Sequence, residues 1–178
     1  MRFSRVSNLV DFDPVQGFRF WGRQPFSRDL VKPLEEGDES GNQKPVSGLW
    51  LSPLMHGHTD CWEEFLDSVG WHGLIPHRVE VDPDTLTLVL DSAKDLEEYE
   101  DLFCTSKFLP HLKFFDPAKF LPRGIPAVYI SRRGVGHSKR NRNFMTQTWD
   151  VPSLWVNDPD GVHLRRVEIE TLDLDSAR

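Results

Sequence analysis

The sequence predicts an α+β domain built around a small, mostly antiparallel sheet with two or three helices. Short β-type segments bounded by Gly and Pro dominate the chain. The few segments with helical periodicity do not alternate regularly with the strands, as the helices of a parallel βαβ protein would. The 178 residues suit one domain, and the sequence contains no internal repeat. We therefore expect a single domain over residues 1–178.

The first predicted strand is 17–22, where alternation places Phe18 and Phe20 on one face and Arg19 and Trp21 on the other. Residues 29–46 are polar, acidic and rich in Gly and Pro, which predicts a mobile acidic loop with little to bury. A second strand follows over 48–53 and ends at Pro53.

A helix is predicted after Asp60, which can cap it, with Glu63 completing a capping-box pattern and Gly70 ending it. Its apolar stripe falls at helical spacing: Trp62, Phe65, Leu66 and Val69. A strand over 77–82 is expected to turn at 82–84 and to have 85–90 as its β partner.

Ser92 opens a second helix with an acidic outer face, and its predicted inner residues are Leu96, Tyr99, Leu102 and Phe103. A Pro-punctuated segment follows, with a short helix starting at Asp116-Pro117. Strands are predicted over 127–131, 148–156 and 162–169, and a basic, Gly-containing loop over 132–143.

The composition excludes several classes of protein. With 21 basic and 28 acidic residues the net charge is −7, which argues against a surface that binds nucleic acid or anionic membrane all over. No apolar run approaches the roughly 18–20 residues that span a bilayer, and the N-terminus lacks the apolar stretch of a signal peptide. The two cysteines, Cys61 and Cys104, form neither a disulfide framework nor a Cys-x-x-Cys site. We expect a cytoplasmic protein.

The predicted basic loop is the main anomaly in this acidic chain. It holds five of the 21 basic residues: Arg132, Arg133, Lys139, Arg140 and Arg142. Gly134 and Gly136 could shape a backbone nest for an anion, and the arginines could bind phosphates. The segment lacks the third glycine and the following helix of a dinucleotide fingerprint, so a solvated loop is the alternative.

Two other groups of residues favour plainer interpretations. The segment 56–61 (His-Gly-His-Thr-Asp-Cys) contains zinc-ligand residue types, but no partner set lies at a recognisable spacing, so we expect no metal. Glu168 and Glu170 share one face of a predicted strand and could act as an acid/base pair. The acidic alternation continues to Asp175, however, which favours a solvent-facing edge.

Two segments together resemble small phage and bacterial proteins related to the ADP-ribosyltransferases. The first is 44–52 (Lys-Pro-Val-Ser-Gly-Leu-Trp-Leu-Ser), followed shortly by the helix that contains Trp62. The second is 148–157 (Thr-Trp-Asp-Val-Pro-Ser-Leu-Trp-Val-Asn). About a dozen positions match, in the same order and at similar spacing over most of the chain.

This resemblance implies a split-sheet, ADP-ribosyltransferase-like fold that binds NAD as substrate in a cleft, and a cytoplasmic enzyme, in host cytoplasm if phage-encoded. Arg19 would bind NAD, Ser52 and Trp50 would shape the nicotinamide pocket, and Asp150 would orient the ribose. Arg132 and Arg133 would contribute to NAD binding or to the choice of a protein or nucleic-acid target.

Alternatives remain open at each position. Characterised transferases have Glu where this chain has Asp150, so Glu80, Glu168 or Glu170 could supply the acid. Arg19 could be a surface residue, and Ser52 could simply end its strand. The whole domain could also be a non-catalytic binding module of the same fold, such as a phage inhibitor of a host protein or a nucleotide or nucleic-acid binder. An RNA-phosphate-processing relative is a third alternative.

Overall fold

The computed structural model describes residues 1–12, 17–38, 45, 47–54, 61–106, 113–140, 150–158, 162 and 164–166. These residues form ten strands and four α-helices. The strands are β1 (Arg2–Arg5), β2 (Phe18–Gly22), β3 (Leu49–Pro53), β4 (Ile75–Val81), β5 (Leu86–Leu90), β6 (Cys104–Ser106), β7 (Lys113–Phe115), β8 (Ala127–Ile130), β9 (Ser153–Val156) and β10 (Leu164–Arg166). The helices are α1 (Cys61–Ser68), α2 (Ala93–Phe103), α3 (Pro117–Phe120) and α4 (Arg132–Arg140). Within the described ranges no helix is both long and apolar enough to cross a membrane.

The main sheet has eight strands in the order β1-β5-β8-β9-β3-β2-β4-β10. Every pairing in it is antiparallel except that of β5 with β8. The prediction of an α+β fold with a mostly antiparallel sheet is therefore confirmed. The described residues contain four helices, however, rather than two or three. The strands β6 and β7 form a separate small sheet.

The predicted pairing of 77–82 with 85–90 is wrong. β4 pairs with β2 and β10, whereas β5 pairs with β1 and β8 on the far side of the sheet. The turn between them does form, since Asp82 accepts hydrogen bonds from the backbone N–H groups of Asp84 and Thr85. The turn connects the two halves of the sheet, and β4 and β5 each pair with two strands in their own half.

Alternating side chains give the sheet two apolar faces. One face buries Leu49, Leu51, Leu154 and Val156 against residues that include Val6, Phe12, Phe18, Val31 and Val79. The other buries Leu88, Leu90, Val128, Ile130 and Trp155 beneath α2, α3 and α4. Phe103, Phe120 and Trp155 are stacked edge to face there, with ring centroids 5.0 and 5.2 Å apart.

Local capping signals set the starts of two helices as predicted. Ser92 and Asp95 form a complete capping box at α2, and Asp116 caps α3, with Pro117 in the first position. The predicted inner residues of α2 are buried, apart from Leu102, which is half-buried. In α1 only Leu66 is fully buried, and Val69, just beyond the helix, is exposed. Its predicted cap, Asp60, lies outside the described residues.

The segment predicted as a basic loop forms helix α4 instead, so the loop prediction is wrong for 132–140. The Ser131 hydroxyl accepts a hydrogen bond from the Gly134 N–H at 3.0 Å and so caps the helix. A Cβ on Gly134 would lie 2.1 Å from the Leu90 carbonyl oxygen. Gly134 thus permits close helix–strand contact and does not form an anion nest. Residues 141–143 lie outside the described part of the chain.

The predicted mobile acidic loop contains buried anchors in its first part. Val31 and Leu34 are buried, one in each apolar core, and the Leu34 N–H donates to Asn157 Oδ1 at 3.2 Å. The expectation that this segment buries little is therefore wrong for 29–38, while 39–44 and 46 are outside the described residues. Strands β1, β6 and β7 were not predicted. Of the predicted strands 148–156 and 162–169, the structure describes 150–156, 162 and 164–166.

Candidate functional site

The strands β2 and β3 form a fork in the sheet. They pair at two positions, Phe18 with Pro53 and Arg19 with Ser52. The described part of β2 continues to Gly22, and β3 begins at Leu49, without further pairing between them. The predicted site residues Arg19 and Ser52 are therefore direct cross-strand neighbours where the two halves of the sheet meet. Trp21 and Trp50 follow on the two arms, and we call these four residues the β2–β3 fork.

A second arginine extends this row. Arg78 on β4 pairs with Arg19, so Ser52, Arg19 and Arg78 lie side by side across three strands. Neighbouring strands are about 5 Å apart, and the alternation of side chains places Arg19 and Arg78 on the same face of the sheet. Ser52 is buried, and both arginines are half-buried. Sequence reasoning missed Arg78. Its position between His77 and the buried Val79 indicates its face, but not its neighbour.

The two aromatic arms differ in their packing. Trp50 is half-buried and lies against the fully buried Trp155, with ring centroids 6.3 Å apart. Trp21 is also half-buried, and its indole nitrogen is buried without a hydrogen-bond partner among the described residues. An aromatic ligand ring bound in the fork would therefore contact two different tryptophans. Trp50 packs on Trp155 of the core, whereas the indole N–H of Trp21 has no hydrogen-bond partner among the described residues.

The two sequence segments that carry the family resemblance are neighbours in the sheet. Strands β3 and β9 pair through Leu49–Val156, Trp50–Trp155 and Leu51–Leu154. Gly48 has φ of +83°, and the Trp155 indole donates to the Ser47 carbonyl oxygen at 2.7 Å. The Gly-Leu-Trp pattern thus also has a packing role in this chain, because it seats Trp155 under β3.

Asp150 lies in a groove between α1 and α4, just before β9. We call it the α1–α4 groove, and its volume is about 350 Å³. Asp150 itself is half-buried there. The lining residues are Cys61, Glu64, Phe65, Ser68, Arg132, Val135, Lys139, Asp150, Val151 and Pro152.

The groove and the fork are close to one another. The Trp62 indole on α1 donates to the Pro152 carbonyl oxygen at 3.1 Å and to Ser153 Oγ at 3.2 Å. Continuing the β3–β9 register by one step places Ser153 opposite Ser52. Three residues of extended chain and one strand spacing put the Asp150 Cα within about 15 Å of the Ser52 Cα. The strands associated with Arg19, Ser52 and Asp150 are thus three consecutive neighbours: β2, β3 and β9.

The predicted arginines of α4 have separate surroundings. Arg132 lines the α1–α4 groove. Arg133 instead has Nη1 4.0 Å from Oδ2 of the buried Asp91, which also accepts a hydrogen bond from the Ser131 hydroxyl. Arg2 Nη1 lies 3.4 Å from the same carboxylate. This cluster lies at the carboxyl ends of the parallel strands β5 and β8.

The alternative acids are only partly described. Glu80 is half-buried on β4, two residues from Arg78 and therefore on the same face. Both line a cavity of about 210 Å³ that also contains Phe12 and Phe18. Glu168 and Glu170 lie outside the described residues.

The two cysteines have different chemistry. Burial raises the pKa of the Cys104 thiol to about 12, with the nearby Glu100 carboxylate adding to the effect. That thiol is therefore unreactive at neutral pH. Cys61 is half-buried at the start of α1 and lines the groove. The described residues contain no group of three or more potential metal ligands, and the His-rich segment 56–60 lies outside them.

No protein-family model, curated protein or solved structure matches this chain. The functional interpretation therefore depends on the geometry of the fork and the groove.

Proposed function

We propose that this chain is an NAD-dependent mono-ADP-ribosyltransferase that binds NAD at the β2–β3 fork and modifies a macromolecular target. One observation carries the proposal: Arg19, Ser52 and Asp150, predicted from separate segments, are associated with three consecutive strands of the sheet. These residues are far apart in sequence, and the order of the strands brings their elements together.

The arginine row suits the diphosphate of NAD. Arg19 and Arg78 are direct cross-strand neighbours. Each planar guanidinium can donate two parallel hydrogen bonds to phosphate oxygens. A ligand with two adjacent phosphates therefore fits the row better than a neutral ligand does.

The fork also suits a planar ring beside the ribose. Trp50, braced by Trp155, offers a stacking face for nicotinamide. The hydroxyl of Ser52 is the polar group nearest to Trp50 along the same strand face. In the proposed reaction the bond between ribose and nicotinamide breaks, and nicotinamide leaves with the bonding electrons. The acceptor then forms the new bond to the ribose and loses its proton.

Asp150 is the proposed acid. Positive charge develops on the ribose as nicotinamide departs, and a fixed carboxylate stabilises that charge. Asp150 lines the α1–α4 groove. It also lies just before β9, which is the neighbour of β3 in the sheet. A carboxylate between the two features could orient the ribose towards an acceptor in the groove.

Calorimetric titration of NAD into the purified protein tests this proposal. We expect Arg19→Ala and Arg78→Ala each to weaken NAD binding at least about tenfold, because a charge-assisted hydrogen bond contributes roughly 1.5–3 kcal/mol. Arg23→Ala is the matched control, since it removes the same charge from an exposed residue just beyond β2. Asp150→Asn should retain NAD binding and lose nicotinamide release, measured by chromatography.

Two results would contradict the proposal. One is a folded wild-type protein that does not bind NAD. The other is a loss of affinity in Arg23→Ala as large as that in Arg19→Ala. A non-catalytic binding module is then the second candidate, favoured by the four exposed cations of α4 (Arg132, Arg133, Lys139 and Arg140).

A further inference from the structure

Helix α4 concentrates positive charge in an acidic chain. Four permanently charged cations are exposed on nine residues, without a single carboxylate on the helix. Arg132 and Arg133 lie in the first turn, where the helix macrodipole disfavours cations. In a chain of net charge −7, such a local concentration of cations is suited to binding a polyanion.

One face of α4 forms a wall of the α1–α4 groove. Arg132, Val135 and Lys139 follow one another at helical spacing and all line the groove. Val135 is buried, while both cations are exposed. The two charges are separated by seven residues, or about 10 Å along the helix axis. They can therefore hold separate anionic groups of one extended ligand.

The opposite wall comes from α1 and has a different character. Cys61, Glu64, Phe65 and Ser68 lie on one face of that helix and line the groove. Phe65 is half-buried and stands nearly perpendicular to the Trp62 ring, at an interplanar angle of 78°. It therefore presents an aromatic surface opposite the cations.

We propose that the α1–α4 groove binds single-stranded nucleic acid. Arg132 and Lys139 contact the phosphates, and Phe65 stacks against one base. Cationic grooves with aromatic platforms bind single strands in this way. The volume of about 350 Å³ lies within the range of pockets for small organic groups such as a nucleotide. This binding goes beyond the proposed NAD chemistry and does not depend on it.

The two carboxylates in the groove favour a nucleic acid over an acidic peptide. Glu64 and Asp150 repel the anionic groups of both ligands, but only a nucleic acid also brings exocyclic amines of bases, which donate hydrogen bonds to carboxylates. Cytosine and adenine carry such an amine and thymine does not. The groove should therefore prefer oligocytidylate or oligoadenylate to oligothymidylate.

Fluorescence anisotropy with labelled 12-nucleotide DNA strands, titrated at several salt concentrations, tests the proposal. Lys139→Ala should weaken binding of oligocytidylate and reduce the slope of log affinity against log salt by about 0.7, the contribution of one phosphate contact to a single strand. Lys94→Ala is the matched control, because it removes an exposed lysine from α2, outside the groove. It should change neither affinity nor slope.

Phe65→Ala separates stacking from charge. It should weaken binding of oligocytidylate about tenfold while leaving the salt slope unchanged, since stacking does not involve counterion release. Bound oligocytidylate should also slow alkylation of Cys61, which lines the groove, in the wild type but not in Lys139→Ala at the same concentrations.

Four outcomes would overturn the proposal. They are the absence of oligonucleotide binding at low salt, equal effects of Lys94→Ala and Lys139→Ala, equal affinity for a duplex of the same length, and tighter binding of a labelled heptaglutamate peptide. The last result would assign the groove to an acidic protein partner. Because Lys139 and Lys94 are both exposed, neither variant should affect folding, so a difference between them reports binding.

Discussion

The two glycines of α4 should respond in opposite directions to alanine. In a helix interior, replacing Gly by Ala gains about 1 kcal/mol of stability where there is room for the methyl group. Gly136 has that room, because an added Cβ would find only the flexible end of the Arg140 side chain, at 3.5 Å. Gly136→Ala should therefore stabilise the protein by about 1 kcal/mol.

Gly134 has no such room. A Cβ there would lie 2.1 Å from the Leu90 carbonyl oxygen and 3.0 Å from Ile130 Cγ1. The first of these is backbone in a buried strand, so α4 must move away from β5. Overpacking of this kind costs about 1–3 kcal/mol, and the upper part of that range applies when backbone must shift. After subtraction of the helix-propensity gain, Gly134→Ala should destabilise the protein by about 2 kcal/mol.

Urea denaturation followed by tryptophan fluorescence measures both changes, and thermal unfolding provides a check. For a chain of this size, 1 kcal/mol corresponds to about 2–4 °C in Tm. Gly136→Ala should thus raise Tm by about 2–4 °C and Gly134→Ala should lower it by about 4–8 °C. If alanine at 136 is neutral or destabilising, the segment is not a helix. If alanine at 134 stabilises the protein as well, α4 does not pack on β5 as described.

Two further predictions concern buried ionisable groups. At pH 8 only one thiol per chain, that of Cys61, should react rapidly with a disulfide reagent, because burial raises the pKa of Cys104 to about 12. Rapid reaction of two thiols per chain in the folded protein would be inconsistent with this packing. Desolvation also raises the pKa of both Tyr99 and Tyr129. Since an unfolded tyrosine ionises near pH 10, their contribution to stability is present below that pH and is lost as the pH rises above it. Absorbance at 295 nm should therefore show tyrosinate only together with alkaline unfolding, and a stepwise titration near pH 10 without unfolding would refute the buried positions.

Local signals in the sequence predicted a large part of the fold. The predicted starts of α2 at Ser92 and of α3 at Asp116-Pro117 depend on residues within one turn of each other, so sequence alone is enough to identify them. The alternation in β2 likewise placed Phe18 in the core and Arg19 on the other face. Signals of this kind need no knowledge of the strand order.

Three of the failures depend on contacts between distant residues. Gly134 weakens any local helix signal. A glycine is needed there because α4 closely approaches Leu90, which lies 44 positions earlier in the chain. The expected hairpin across 82–84 failed because each strand pairs better elsewhere. The importance of Arg78 depends on the β2–β4 register, which alternation alone cannot fix.

The sequence could identify the residues of the candidate site, but it could not predict how they are arranged in space. Arg19, Ser52 and Asp150 were selected by resemblance, whereas the adjacency of their strands is a property of the sheet order. Arg132 and Arg133 are consecutive in sequence, but they separate because neighbouring helical residues point about 100° apart. One contacts the groove and the other approaches Asp91.

The central position of β9 has a consequence for synthesis on the ribosome. This strand joins β8 to β3, yet both of its partners emerge earlier. Until Val156 leaves the exit tunnel, β3 and β8 each expose an unpaired edge of buried, apolar sequence, and such edges promote association between chains. At about 5–20 residues per second, that state lasts for seconds. The nascent chain should therefore need a chaperone during this interval, and a message truncated before codon 153 should produce aggregated protein.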